Sequence, residues 1–334
     1  MLRTLTLATA LALGLTGATS AQDYPWKPDK PITLIVPWAA GGSTDQVSRV
    51  AAAEIEKALG QKIVVVNQPG ASGSIGTRNA LQAAPDGYTW TAGAAKDLGT
   101  YIVSGLLDTK IDDWRLYLSV INVSVLGVNN NTPYKSAQDV VNAMKSKPGQ
   151  VSVATAGINS SGHAAVEAFT RALGLQYKHV SYDGGNPAVI ATVAGETEMT
   201  TQLAVEQANM IRGNRLRALA VLSDKPLELE GYGTVPPITS SISGFKPDAN
   251  YFGIFIPKNV PAPVIKTMDM VWENVIMKSD ALKKYATANG AIASPTYGDA
   301  GLKVAMPAIQ TTAWQLHEGG KAKVSPDTVG IAKP

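Results

Sequence analysis

The 334-residue chain has no cysteine. That excludes disulfides, thiolate nucleophiles and thiolate-held metals, and it leaves no lipid attachment point behind an export leader. Histidine is nearly as scarce. His163, His179 and His317 are the only three, and none stands in an HExxH pattern or another close ligand spacing, so neither a metal nor a cofactor is expected. Blocks of like charge are also missing. Lys and Arg are scattered, no run of five like charges occurs, and the net charge is only +3, which speaks against a nucleic-acid surface. No repeat and no low-complexity tract is visible.

Long apolar runs are confined to the start of the chain. Residues 1–21 carry Arg3, an uncharged stretch from Leu5 to Leu15, and the small residues Thr19 and Ala21 around Ser20. The stretch is about half of the ~20 residues that a membrane span needs. It reads as a secretory signal cleaved near Ala21, so the mature protein is expected in the periplasm as a soluble monomer. About 310 residues then remain, more than one hydrophobic core usually serves, which points to two lobes.

What the chain does have is strand and helix patterns in alternation. Ile32–Val36 is a β-branched run, 45–59 has helical apolar spacing, and Lys62–Val66 reads as a second buried strand. A helix over 74–84, the turn Pro85-Asp86-Gly87 and a strand over 88–92 follow. A second set comprises strands over 123–128, 151–155, 177–180 and 216–221, with helices over 136–146, 162–173 and 187–194. Two such sets imply two α/β lobes with largely parallel sheets. The strand over 123–128 reads as the way out of lobe one and the stretch Tyr251–Ile256 as the way back. Helices over 261–277, 280–290 and 298–318 then complete lobe one.

Glycine turns at strand ends carry the functional signal. Pro37-Trp38-Ala39-Ala40-Gly41-Gly42-Ser43-Thr44-Asp45 joins the first strand to a helix, where unpaired N–H groups and the helix dipole favour an anion. Asp45 is the simplest cap for that helix. Ala71, Ser72, Gly73 and Ser74 lie in a second loop of this kind. Neither loop has the Gly-Lys-Ser/Thr ending of a P-loop, and the glycines from Gly70 to Gly76 are not spaced as a dinucleotide fingerprint. In the second set, Thr155, Gly157, Asn159, Ser160 and His163 form a third loop, and Tyr182, Asp183 and Gly184 a fourth. Four loops at strand C-termini would face one cleft. Trp38 is placed to stack on a ligand or to pack beside the sheet end.

Catalytic patterns are weak. No serine stands in G-x-S-x-G. Ser160 or Ser161 with His163 offers proximity for an exported hydrolase or lyase, but no acid partner or oxyanion motif accompanies them.

In combination, Pro31 to Pro37, Gly41-Gly42 with Asp45, Leu59-Gly60-Gln61, Asn67 to Gly76 and Pro85-Asp86-Gly87-Tyr88 resemble the Bug-type solute receptors of tripartite tricarboxylate transporters. The resemblance continues through Gly157 to His163, Tyr182 to Pro187, Leu216 to Val221 and Phe252 to Pro257. It implies a type II-like, two-lobed periplasmic binding protein with a two-crossing hinge and no catalysis. Lobe one would take residues 22–124 plus 251–334, and lobe two 125–250. It further implies capture of a small organic acid by loop amides, hydroxyls and waters, and delivery to membrane permease subunits. A sensor that presents its closed form to a signalling partner is the other reading. Trp38 stands where the family more often has Phe, Asp183 where Lys is common, and Gln202 where an acid is frequent. Lys96 and Asp97 also depart from a usual Ser- and Thr-rich stretch. These differences lead us to expect a smaller or amino-bearing carboxylate.

Overall fold

The computed structural model describes residues 23–242, 245 and 249–334. The expected leader over 1–21 lies outside them. The chain opens with β1 (Ile32–Val36), α1 (Ser43–Leu59), β2 (Ile63–Asn67), α2 (Ser74–Leu81), β3 (Thr89–Ala94), α3 (Ala95–Ser104) and β4 (Trp114–Asn122). A second group follows: β5 (Val125–Asn129), α4 (Ala137–Ser146), β6 (Ser152–Thr155), α5 (Ser161–Arg171), β7 (Lys178–Ser181) and α6 (Gly185–Ala194). It continues through β8 (Met199–Thr200), α7 (Ala204–Arg212), β9 (Leu216–Val221), β10 (Leu227–Leu229) and β11 (Gly233–Val235). The chain closes with β12 (Asn250–Pro257), α8 (Ala262–Asn274), α9 (Asp280–Asn289), β13 (Ala291–Tyr297) and α10 (Gly298–Glu318).

These elements make two main sheets, ordered β13-β4-β12-β3-β1-β2 and β7-β6-β8-β5-β9. In the first, β2, β1 and β3 pair in parallel, while β12 runs against both β3 and β4, and β13 runs against β4. In the second, β7, β6 and β8 are parallel and β5 runs against β8 and β9. Most strands therefore point one way in each sheet. The reversals gather at β5, β12 and β13, which are the strands the chain enters when it changes lobes or turns back at the end. The passage from lobe one differs from the expected single strand over 123–128. It is two strands, with β4 finishing in the first sheet at Asn122 and β5 starting in the second at Val125.

Local chemistry accounts for the framework. Ile32, Leu34 and Val36 put β-branched and apolar bulk inside the first sheet. Helix α1 stops at Gly60, whose φ of 65° lets its N–H reach back to the Glu56 carbonyl. Ser136 and Asp139 close a reciprocal cap on α4. One face of the first sheet packs on α1, α8 and α9 around Trp90, Met268 and Trp272, and the other on α3 and α10 around Leu98, Phe255 and Ile309. The second sheet is likewise covered on both faces. No helix among the described residues is long and apolar enough to cross a membrane. What this construction gives the site is a row of strand C-termini in each lobe, each followed directly by a helix N-terminus.

Candidate functional site

The loop after β1 is held from behind. Asp45 accepts from the Gly41 N–H through Oδ2 at 3.0 Å, and from Arg49 (Nη2, 2.8 Å) and Asn67 (Nδ2, 3.0 Å) through Oδ1. Burial alone would push the Asp45 carboxyl up, but Arg49, Gly41 and Asn67 together hold it below the usual carboxylate range. Asp45 is thus a brace, and the expected cap is corrected: Gly42 is the N-cap of α1, without a side-chain bond. Gly41, with φ of 79°, makes the turn. Ala40 and Gly41 are exposed at its tip.

The second loop is wound tightly on itself. Ala71 and Ser72 both have positive φ, 45° and 55°. Ser74 Oγ donates to the Ala71 carbonyl, and the Tyr101 hydroxyl donates to the Ser72 carbonyl at 3.1 Å. Gly73 lies flat against Trp38 and Tyr101, so closely that a Cβ there would come within 3.0 Å of the indole.

The two lobes meet through these loops. The Ala39 N–H donates to the Asp183 carbonyl at 3.2 Å. At Gly157, whose φ is 107°, a Cβ would stand 2.7 Å from Ser72 Oγ. One lobe-one loop therefore touches each lobe-two loop. Thr155 works from below, its Oγ1 at 2.6 Å from His179 Nε2 and accepting from the Gly157 N–H. Tyr182 turns away and donates to Glu196, and the Asp183 side chain is exposed. Gly184, without a side chain, lets Ala39 approach.

Under these contacts lies a small cavity lined by Trp38, Gly42, Ser43, Thr44, Ser160, Ser161 and Gln202, with Ala156, Gly185, Leu203 and Phe252. About 20 Å³ of it is open to the centre of a water-sized sphere, room for a water or two. The first turns of α1, α5 and α6 and the start of α7 converge on it, each with N–H groups that no intrahelical carbonyl takes up. Of the residues expected from the sequence, Trp38, Gly42, Ser43, Ser160 and Gln202 reach this space. Ala40, Gly41, Asp45, Thr155, Gly157, Tyr182, Asp183, Gly184 and the Ala71–Ser74 loop do not line it. A larger space of about 700 Å³ lies nearer the hinge, shares Ser161 with the small cavity, and is lined by Lys96, Asn122, Asn250 and Thr312 among others.

Two acids that sequence reasoning did not assign to the site also line the small cavity. Asp97 and Glu206 are both buried. Asp97 Oδ1 accepts from Lys96 Nζ at 2.6 Å, and burial still raises its carboxyl above the ordinary value. Glu206 reaches across the cleft, where Oε1 accepts from the Ser43 N–H at 3.0 Å and Oε2 from the Leu203 N–H at 3.1 Å. Burial pushes the Glu206 carboxyl up, and those two N–H groups, with the Ser43 side chain, pull against it. With its amide oriented to satisfy both ends, Gln202 donates to Glu206 Oε2 at 2.8 Å and accepts from the Ala156 N–H at 2.7 Å.

His163 and Asn159 are carried elsewhere. The His163 ring lies 4.8 Å from that of His179 and its Nε2 is 3.7 Å from Glu167. Burial lowers its pKa to about 3. Ser160 Oγ accepts from the His163 backbone N–H, an N-cap rather than a nucleophile–base pair. Asn159 and His163 border a second, narrow space between α5 and α10. The Asn159 side chain is buried there with neither polar atom hydrogen-bonded, a polar end unspent next to the loop.

A family model described as the tripartite tricarboxylate transporter family receptor, TctC, matches residues 47–312. The chain belongs to that family. BugT of Bordetella pertussis is 30% identical over 290 residues, covering 84% of this chain and 87% of that protein. The solved structure of the periplasmic binding protein BugD superposes with a TM-score of 0.79 at 23% identity, covering 88% of this chain and 99% of that one. MatC of Rhodopseudomonas palustris, solved with bound malate, gives 0.75 at 23% identity, with 87% of this chain and 98% of that one covered. The receptor is a solute-binding protein with the periplasmic-binding fold, and not an enzyme.

Proposed function

We propose that the receptor captures a small organic acid in the periplasm, between its lobes, and hands it to the membrane subunits of a tripartite transporter. One observation carries the reading. Four helix starts, from α1 in one lobe and α5, α6 and α7 in the other, converge on a single small cavity beside the contacts between the loops. N–H groups that converge where the nearby Lys96 is already paired with Asp97 suit a carboxylate, because bonds to a charged acceptor are stronger than neutral ones. The likeness to a protein solved with malate supports the same class of ligand. The contact set on this reading is Gly42, Ser43, Thr44, Ser160, Ser161 and Gly185.

The cavity is too tight for a four-carbon acid as it stands, so binding requires the lobes to part and re-close around the ligand. That is the step by which a hinged receptor reports its load. A melting-temperature panel of carboxylates that begins with malate tests the proposal. A ligand at 100 times its Kd adds about 2.7 kcal/mol, worth several degrees in a chain of this size. A shift by at least one acid is expected, with no substrate consumed. Turnover of an ester or amide with no shift by any acid would overturn it.

A further inference from the structure

Glu206 stands out among the groups in the cleft. It is a buried carboxyl, it lines the cavity, and among the described residues no Lys, Arg or His is within ion-pair distance of it. Its neighbour Asp97 has Lys96; Glu206 has only neutral donors, the Ser43 and Leu203 N–H groups, the Ser43 side chain and the Gln202 amide. Its place is also built. A Cβ at Gly185 would fall 2.0 Å from Glu206 Oε1, so the carboxylate fits only because residue 185 has no side chain.

The position has a consequence for any acid that enters. The N-terminus of α1, which on sequence grounds receives the ligand carboxylate, already holds a carboxylate of the chain's own. A second anion in a cavity with little water would lie against the first, and like charges in a low-dielectric site repel strongly. A ligand that brings a cationic group alongside its carboxylate removes the conflict. The carboxylate takes the starts of α5 and α6, near Ser161 and Gly185, and the ammonium goes to Glu206.

We propose that Glu206 is the specificity-determining residue of the cleft, that it receives the ammonium of the ligand, and that the receptor therefore selects small amino-bearing carboxylates over their deaminated counterparts. The proposal rests on the carboxylate-receptor reading above and narrows its ligand class. The competing role for Glu206 is a latch that holds Ser43 across the cleft whatever the ligand.

Matched pairs separate the two roles: glycine with acetate, β-alanine with propanoate, 4-aminobutanoate with butanoate, and L-aspartate with succinate. Titration calorimetry on the full mature chain is expected to show at least one amino member binding tenfold or more tighter than its partner. Glu206→Gln, which keeps shape but loses charge, is expected to shrink that ratio at least tenfold, and Glu206→Asp to restore part of it. Equal losses for both members of a pair in Glu206→Gln would make Glu206 a latch and overturn the proposal. So would a wild-type protein that binds every deaminated acid as tightly as its amino partner, a result readable even if the variants do not fold. That result leaves the carboxylate reading standing, whereas binding of no acid at all removes both.

Discussion

Asp45 and Glu206 are two buried acids at one end of α1, and their partners give them opposite work. Asp45 is paired with Arg49 and ties its own loop, so its charge is spent on shape. Glu206 has no cation and faces the cavity, so its charge is open to a ligand. His163 is a third buried group with a readable consequence. Its pKa falls from 6.5 to about 3 through burial, reinforced by Lys321, His179 and Lys96 and opposed by Glu167. A histidine depressed in the folded state contributes stability that is fully present above pH 6.5 and is lost as pH falls toward 3, because the unfolded chain takes up the proton first. Urea unfolding between pH 7 and pH 4 is expected to show a loss of a few kcal/mol, and His163→Asn to flatten that slope. An unchanged slope would assign the acid sensitivity to His179, which burial and Lys321 also lower from 6.5.

The elements around the cavity divide into those the sequence displays and those it hides. Strands β1 and β9 and helix α10 fall where pattern places them, because β-branched runs and long apolar spacing are local signals. The glycine loops are legible for the same reason, as a positive-φ turn between a strand and a helix needs particular residues. Helices α3 and α7 are hidden, and they carry Asp97 and Glu206. Neither begins with a capping side chain, since Ala94 and Leu203 hold the N-cap positions. Almost every residue of α3 is buried, Lys96, Asp97 and Thr100 included, so it has no polar face to set a period. For α7 one signal was present: Glu206 stands three residues after the N-cap and bonds back to the Leu203 N–H, half of a capping box whose hydroxyl partner is missing. The contact between the loops gives a prediction at this scale. Gly157→Ala should cost about 1–3 kcal/mol in stability from its positive φ. It should also weaken binding of any ligand by tenfold or more, since the new Cβ meets Ser72 as the loops close. Full affinity in a folded Gly157→Ala protein would show that this contact is not part of closure.

Across the whole molecule, closure is also gripped between α5 and α10. Lys321 Nζ lies 3.0 Å from Glu167 Oε1, and Arg171 donates to the Gln315 carbonyl, tying α5 of lobe two to α10 and the segment after it. Lys321 is partly exposed, so the pair is worth no more than about 1 kcal/mol, or roughly fivefold in an open-to-closed ratio. Lys321→Ala should enlarge the radius of the ligand-free protein in solution scattering and make it less responsive to salt; an identical radius at all salt concentrations would mean that the loops alone set the equilibrium. The order of the first sheet has a different consequence. Its strand β12 lies between β4 and β3, yet comes from residues 250–257, whereas the second sheet is drawn from the unbroken run between Val125 and Val221. A chain emerging from its N-terminus therefore has everything needed for lobe two before lobe one can close its central seam. Assembly runs inside out, with the later-numbered lobe finished first, and the ligand-holding loops of lobe one must wait, their strands unpaired along one edge, for about the last quarter of the polypeptide to arrive.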